Sequence, residues 1–298
     1  MGTRAESQRL RKNRASLVRD AIQRSGISRV RQPRTRGKFD DAEAYGRFMG
    51  RWSAKLSPLF LDFTGIEDGE RVLDVGSGTG NLALAIHARA PHAQVVGVDP
   101  SPAYVEFARR RTTSPNIRFE QADAGALPFA DKSFDRALCQ LVFNFIPDCD
   151  QALRELRRVA RPGGVIAAVL WKLDDGMRML DAFWEAAGDV GESAARFGER
   201  PTAYTKEEIA ALWNQAGLRD VTTADLVLQI EFASFEEYWS PFLLGQGPAG
   251  AYAVSLAPDE QIAVRERLRK IVLGSRADGL VTLPSRAFAV RGFTPEAL

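Results

Sequence analysis

From Arg71 onward short runs rich in Val, Ile, Leu and Phe alternate with stretches whose apolar residues recur every three or four positions. That alternation of strand and helix periods predicts a parallel sheet covered on both faces. "RVLDV" at 71–75 reads as the first strand and "NLALAIHARA" as the helix after it, stopped near Pro91. "QVVGVD" at 94–99 reads as the second strand, and Pro102 opens the helix "AYVEFARRR". "NIRFEQAD" and "FDRALCQLVF" supply the third and fourth strands. "QALRELRRVA" is a helix stopped by "RPGG" at 161–164, and "VIAAVLW" at 165–171 is apolar throughout, as a central parallel strand should be.

Beyond Trp171 two more helices are predicted, "GMRMLDAFWEAAG" and "TKEEIAALWNQAG". Thr205 with Glu208 three residues on gives the second a capping-box start. "VTTADLVLQIEF" reads as the sixth strand and "SRAFAVRGF" as the seventh. The segment between them, about 233–281, is too long for a plain connection and is expected to form a helical cap over a site. The fold class is therefore α/β, a doubly wound, mostly parallel, seven-stranded sheet with helices on both faces and a cap between the last two strands. The expected divisions are a basic, flexible leader over 1–38, N-terminal helices over 39–70, and one domain over 71–298 that contains the cap.

Charge changes this picture at one end. Of the 298 residues, 1–38 hold 12 Arg or Lys and only two acids, Glu6 and Asp20, whereas the remainder holds 28 basic and 36 acidic side chains. The leader reads as a solvated tail, an anionic-membrane or RNA contact, or an Arg-rich organelle import segment. Arginine dominates lysine along the whole chain, 33 to 7, which argues against a nucleic-acid partner. No apolar run approaches the roughly 20 residues of a membrane span. Cys139 and Cys149 have neither redox nor metal-ligand spacing, so no metal is expected and a reducing, cytoplasmic compartment fits.

Chemistry concentrates in "VLDVGSGTGN". The turn from the first strand lies at the carboxyl end of the sheet, where open α/β folds bind ligands, and Gly76, Gly78 and Gly80 leave backbone bare. A triphosphate loop requires a lysine after the last glycine, and Asn81 stands there. Gly78, Gly80 and Ala83 do satisfy a permissive dinucleotide spacing, so a nicotinamide-dependent oxidoreductase is one alternative. Acids at three successive strand ends, Asp74, Asp99 and Asp123, oppose it, because they repel a pyrophosphate and suit ribose hydroxyls, an amine and a cationic centre. S-adenosylmethionine bears all three. A catalytically silent cofactor binder, tethered by its leader to RNA or membrane, is the other alternative.

The ordered motifs "VLDVGSGTG", "VVGVDPS", "QADAGALPFADKSFD" and "ALRELRRVARPGG" resemble those of the seven-stranded, S-adenosylmethionine-dependent methyltransferases, particularly the quinone-biosynthesis branch. The resemblance implies strand order 3-2-1-4-5-7-6 with the last strand antiparallel. It implies that Asp74, Gly76, Ser77, Gly78 and Gly80 hold the methionine part, the carboxylate using loop amides. Asp99, followed by Pro100, would take the ribose, Asp123 and Ala124 the adenine, and Gln140 would stand beside the methionine amine. Tyr45, Phe48 and Trp52 share helical spacing ahead of the first strand and are either packing residues or aromatic partners of the cofactor, with Arg51 steering its carboxylate. His87 and His92 fall at the wrong end of their elements for catalysis. Asp174, Asp175, Tyr204 and Tyr238 lie nearer the mouth, and no catalytic residue is assigned. Phe143, Phe145 and "YWSPFLL" suggest an apolar acceptor pocket, so the expected reaction is methyl transfer to oxygen or carbon of a small, partly apolar molecule.

Overall fold

In the computed structural model residues 49–172, 176–188 and 204–296 are described. The leader 1–38, Tyr45, Phe48, Asp174 and Asp175 lie outside them. Seven strands form one sheet in the order β3-β2-β1-β4-β5-β7-β6. They are β1 (Arg71–Val75), β2 (Gln94–Asp99), β3 (Ile117–Gln121), β4 (Phe134–Gln140), β5 (Ala160–Trp171), β6 (Arg219–Phe232) and β7 (Val281–Phe293). β7 runs antiparallel to both its neighbours, and the other pairings are parallel.

Side chains alternate along each strand, so each face of the sheet needs its own cover. Leu138, Val72, Val169 and Ala289 point to one face, packed under α1 (Arg51–Thr64), α2 (Asn81–Arg89), α3 (Pro102–Arg110) and α5 (Arg178–Gly188). Leu73, Cys139, Ile166 and Val290 point to the other, under α4 (Cys149–Val159) and α6 (Lys206–Gln215). α6 begins with the expected capping box of Thr205 and Glu208. Between β6 and β7 come α7 (Phe235–Trp239), a 3-10 turn (Ser240–Leu244), α8 (Gly247–Ser255) and α9 (Pro258–Leu273). Phe183 of α5 stacks on Phe242 of that segment with ring centroids 4.4 Å apart, so its aromatics are the segment's own core.

Three boundaries differ from the sequence reading. β4 stops at Gln140, Leu141 takes a positive φ of 61°, and Phe143–Phe145 turn into a 3-10 helix. β5 starts at Ala160, and "RPGG" is a wide irregularity in its pairing with β4 rather than a helix cap. β7 starts at Val281, ahead of Pro284. There β7 has run past Trp171, the last β5 residue paired with it, so proline's missing N–H removes no ladder bond on that side.

Candidate functional site

The strand register builds the site. Asp74 pairs with Gly97 and Leu138, Gln140 pairs with Val169, and Asp99 and Trp171 stand two residues beyond Gly97 and Val169. Residues two apart share a face, so Asp99, Asp74, Gln140 and Trp171 form a row across β2, β1, β4 and β5 at their carboxyl ends. α1 packs on the Gln140 and Trp171 end of this row.

The glycine loop is folded back on the sheet. Gly76 N–H and Ser77 N–H both donate to Val98 O, at 2.8 and 2.9 Å, and Gly80 N–H donates to Ser77 O. Gly78 N–H donates to Asp99 Oδ2 at 3.0 Å, and Ser101 N–H to Asp99 Oδ1 at 2.9 Å. These four loop amides are thus committed within the protein, which leaves the amides at the start of α2 as the ones a ligand carboxylate would use. Gly76, Gly78 and Gly80 all have positive φ. A Cβ on Gly76 would meet Val142 Cγ2 at 2.3 Å, whereas nothing lies within 4 Å of one on Gly78. Gly78 therefore presents the open side of the loop. Arg111, which the sequence reading passed over, braces it by donating to Thr79 O and Asn81 Oδ1 at 2.6 and 2.7 Å.

Asp74 is buried, accepts from Ala83 N–H and leaves Oδ2 without a partner. Burial pushes its carboxyl up to about 7, the Ala83 amide opposes the rise, and neighbouring Asp99 adds to it. Asp99 is also raised, by burial, against the pull of the Ser101 and Gly78 amides. Gln140 Nε2 donates to Ser53 Oγ and Ser57 Oγ of α1, both at 2.9 Å. Its Oε1 is buried and unpartnered, as is Ser77 Oγ. Ser53 and Ser57 had no motif to mark them; an i, i+4 hydroxyl pair on one helix face was the available signal.

The outer residues divide differently. Asp123 is exposed beyond β3, where Oδ1 accepts Gly125 N–H at 2.7 Å in a local turn next to half-buried Ala124. Pro100 O accepts from Gln121 Nε2. Arg51, expected to steer a carboxylate, instead donates to Glu237 at 2.7 Å and lies over the Phe232 ring. Phe143 is core on the opposite face, against Trp213, and Phe145 is exposed, so the pair does not line an acceptor pocket. Tyr238 is buried and donates to Met179 O, and burial raises its hydroxyl. Tyr204 meets Cys149 Sγ at 3.4 Å and is likewise raised by burial. Neither suits a base. His92 pairs with Asp68 at the amino ends of the strands, and His87 lies in the last turn of α2. Among the described residues no group of His, Cys, Asp or Glu could hold a metal ion, and no helix is long and apolar enough to cross a membrane.

Three unpartnered buried oxygens beside an open glycine are what a ligand with an amine and hydroxyls would satisfy, so these residues fit S-adenosylmethionine. Comparison with known proteins points the same way. Residues 73–168 match the family described as methyltransferase domain. Over 116 residues the chain is 41% identical to a demethylmenaquinone methyltransferase of Thermus thermophilus, covering 38% of this chain and 51% of that protein. A demethylmenaquinone methyltransferase of Deinococcus radiodurans is 43% identical over 96 residues, 32% of this chain and 40% of that one. The chain thus spans about half the length, or less, of these curated relatives. A Haemonchus contortus phosphoethanolamine N-methyltransferase solved with S-adenosyl-L-methionine shares the fold, with a TM-score of 0.55, 16% identity, and coverage of 86% of this chain and 57% of that one.

Proposed function

We propose that this chain, whose residues 73–168 match the methyltransferase-domain family, binds S-adenosylmethionine at the carboxyl ends of β1, β2 and β4 and methylates oxygen or carbon of a small, partly apolar acceptor. Polarity carries the reading. Asp74 Oδ2 and Gln140 Oε1 are buried acceptors without donors, which a ligand ammonium completes and a pyrophosphate does not. In this reading Asp74, Gln140 and Ser77 hold the methionine end, Gly76, Gly78 and Gly80 shape the loop around it, Asp99 with Pro100 receives the ribose, and Asp123 with Ala124 flanks the adenine.

When bound, the cofactor supplies an electrophilic methyl group on a sulfonium. The chain's own task is alignment and exclusion of water, and alignment can lower such a barrier by about 7–11 kcal/mol. In this reading the helix Arg51–Thr64 covers the cofactor and the 233–281 segment caps the acceptor side. Cys139 is buried and its thiol is pushed up by that burial, so it is no nucleophile. A reducing, cytoplasmic setting accords with two free cysteines. Titration calorimetry tests the reading: heat with S-adenosylmethionine and none with NADH is expected, and the reverse rejects it. Uptake of labelled methyl groups from an extract of small metabolites then identifies the acceptor.

A further inference from the structure

The unpartnered polar atoms near the carboxyl ends of the strands change character along the sheet. Below β1 and β4 the unpartnered atoms accept hydrogen bonds, as described. Beside β5 they donate: Trp52 Nε1, from α1, and Trp171 Nε1, from the last residue of β5, are buried and have no partner among the described residues. Their rings meet edge to face with centroids 6.3 Å apart. An indole N–H can only donate, and a buried donor left unmade is costly. Trp213, by contrast, donates to Ile166 O at 3.0 Å.

Trp171 is two residues past Val169, the partner of Gln140, so it follows Gln140 on the same face. Trp52 adjoins Ser53, which holds the Gln140 amide. The surroundings are aromatic and apolar: Phe232 packs on Trp52 at 6.1 Å and Tyr238 on Phe232 at 5.2 Å, while small Ala287 faces Trp171 across the ladder from β7. Two residues along β7 on that face, Ser285 Oγ is also buried and unpartnered. The nearby charges, Arg51 and Glu237, are already paired with each other.

We propose that the Trp52 and Trp171 indoles form a two-donor subsite for an anionic ring oxygen of the methyl acceptor, a phenolate or enolate on a planar conjugated molecule. The acceptor's proton goes to solvent on binding, and the indoles hold the oxyanion that remains. This explains how transfer proceeds with no side-chain base assigned among the described residues. The acceptor's role rests on the methyltransferase reading; the donor pair does not.

The test uses the full chain saturated with S-adenosylhomocysteine and 4-nitrophenol as probe, with 4-nitrotoluene as the ring lacking an oxygen anion. The nitrophenol should bind with the absorption of its phenolate. Trp52→Phe and Trp171→Phe, which keep an aromatic ring and remove the N–H, should each weaken it about tenfold to a hundredfold and leave nitrotoluene unchanged. Indole nitrogen NMR of the wild type guards against misfolded variants: the Trp52 and Trp171 signals should move downfield on titration while that of Trp213 stays fixed. Unmoved indole signals, absence of nitrophenol binding, or equal affinity in folded variants overturns the subsite. Failure of the wild type to take up S-adenosylhomocysteine rejects the methyltransferase reading instead, and the indole shifts still decide the donor pair.

Discussion

The carboxyl group of Asp74 is buried next to that of Asp99 and is pushed up to about 7 from an ordinary 3.8. An acid with a raised folded-state pKa holds its proton more tightly when native. The native chain therefore loses stability as the pH rises from 3.8 to about 7, and the penalty is complete above that. Asp74→Asn should flatten that stretch of the stability profile, as read by urea unfolding at several pH values. A ligand ammonium favours the ionised form, so affinity for S-adenosylmethionine should climb to about pH 7 and level off, with proton release below it. Calorimetry in buffers of different ionisation heat reads the release; none at acidic pH would take Asp74 out of the amine site. Asp99 accepts the Gly78 and Ser101 amides and, in the proposed reading, the ribose hydroxyls as well. Asp99→Ala should weaken cofactor binding by roughly 1–3 kcal/mol per lost partner, and unchanged affinity would remove it from the site.

At the scale of an element, substitutions at two glycines of one loop should separate folding from binding. Gly76→Ala drives a methyl group into Val142, so the variant should unfold at markedly lower urea concentration. Gly78→Ala meets open space at a φ of 52°, costs about 1–2 kcal/mol of backbone strain, and should show its main loss in cofactor heat. The loop was legible because glycine at alternate positions after an apolar strand has few other uses. The strands were legible where each is apolar along its length, as β1, β2 and the second half of β5 are. What stayed hidden depended on neighbours. Pro284 is tolerated in β7 because β5 has ended beside it, and no local pattern records where another strand stops. Phe143 looked like pocket lining until Leu141 turned left-handed and sent the chain to the opposite face. The commitment of the loop amides to Val98 and Asp99 was equally invisible, since it is a long-range pairing between β1 and β2.

For the whole molecule the acid-rich body and basic leader set the long-range field. The described residues fall in one compact unit, and the arginines of 1–38 precede them in sequence. The full chain should be retained on heparin at low salt, a chain lacking 1–38 should not, and both should give the same heat with S-adenosylmethionine. Equal retention would assign the basic surface to the body instead. α1 has a different reach. Its C-terminal carbonyl, Thr64 O, receives Arg136 Nη1, whose Nε forms a buried ion pair with Glu70 at 2.5 Å, far from the crevice. Its first turns carry Ser53 and Ser57, which hold the Gln140 amide, and Trp52, which the proposed subsite places beside the acceptor. In that reading both guests adjoin neighbouring residues of one helix, and either of them, once bound, orders it for the other. The two should bind with positive reciprocity: nitrophenol ought to tighten S-adenosylhomocysteine by the same factor as the converse, and strict independence in paired titrations would show that the helix transmits nothing.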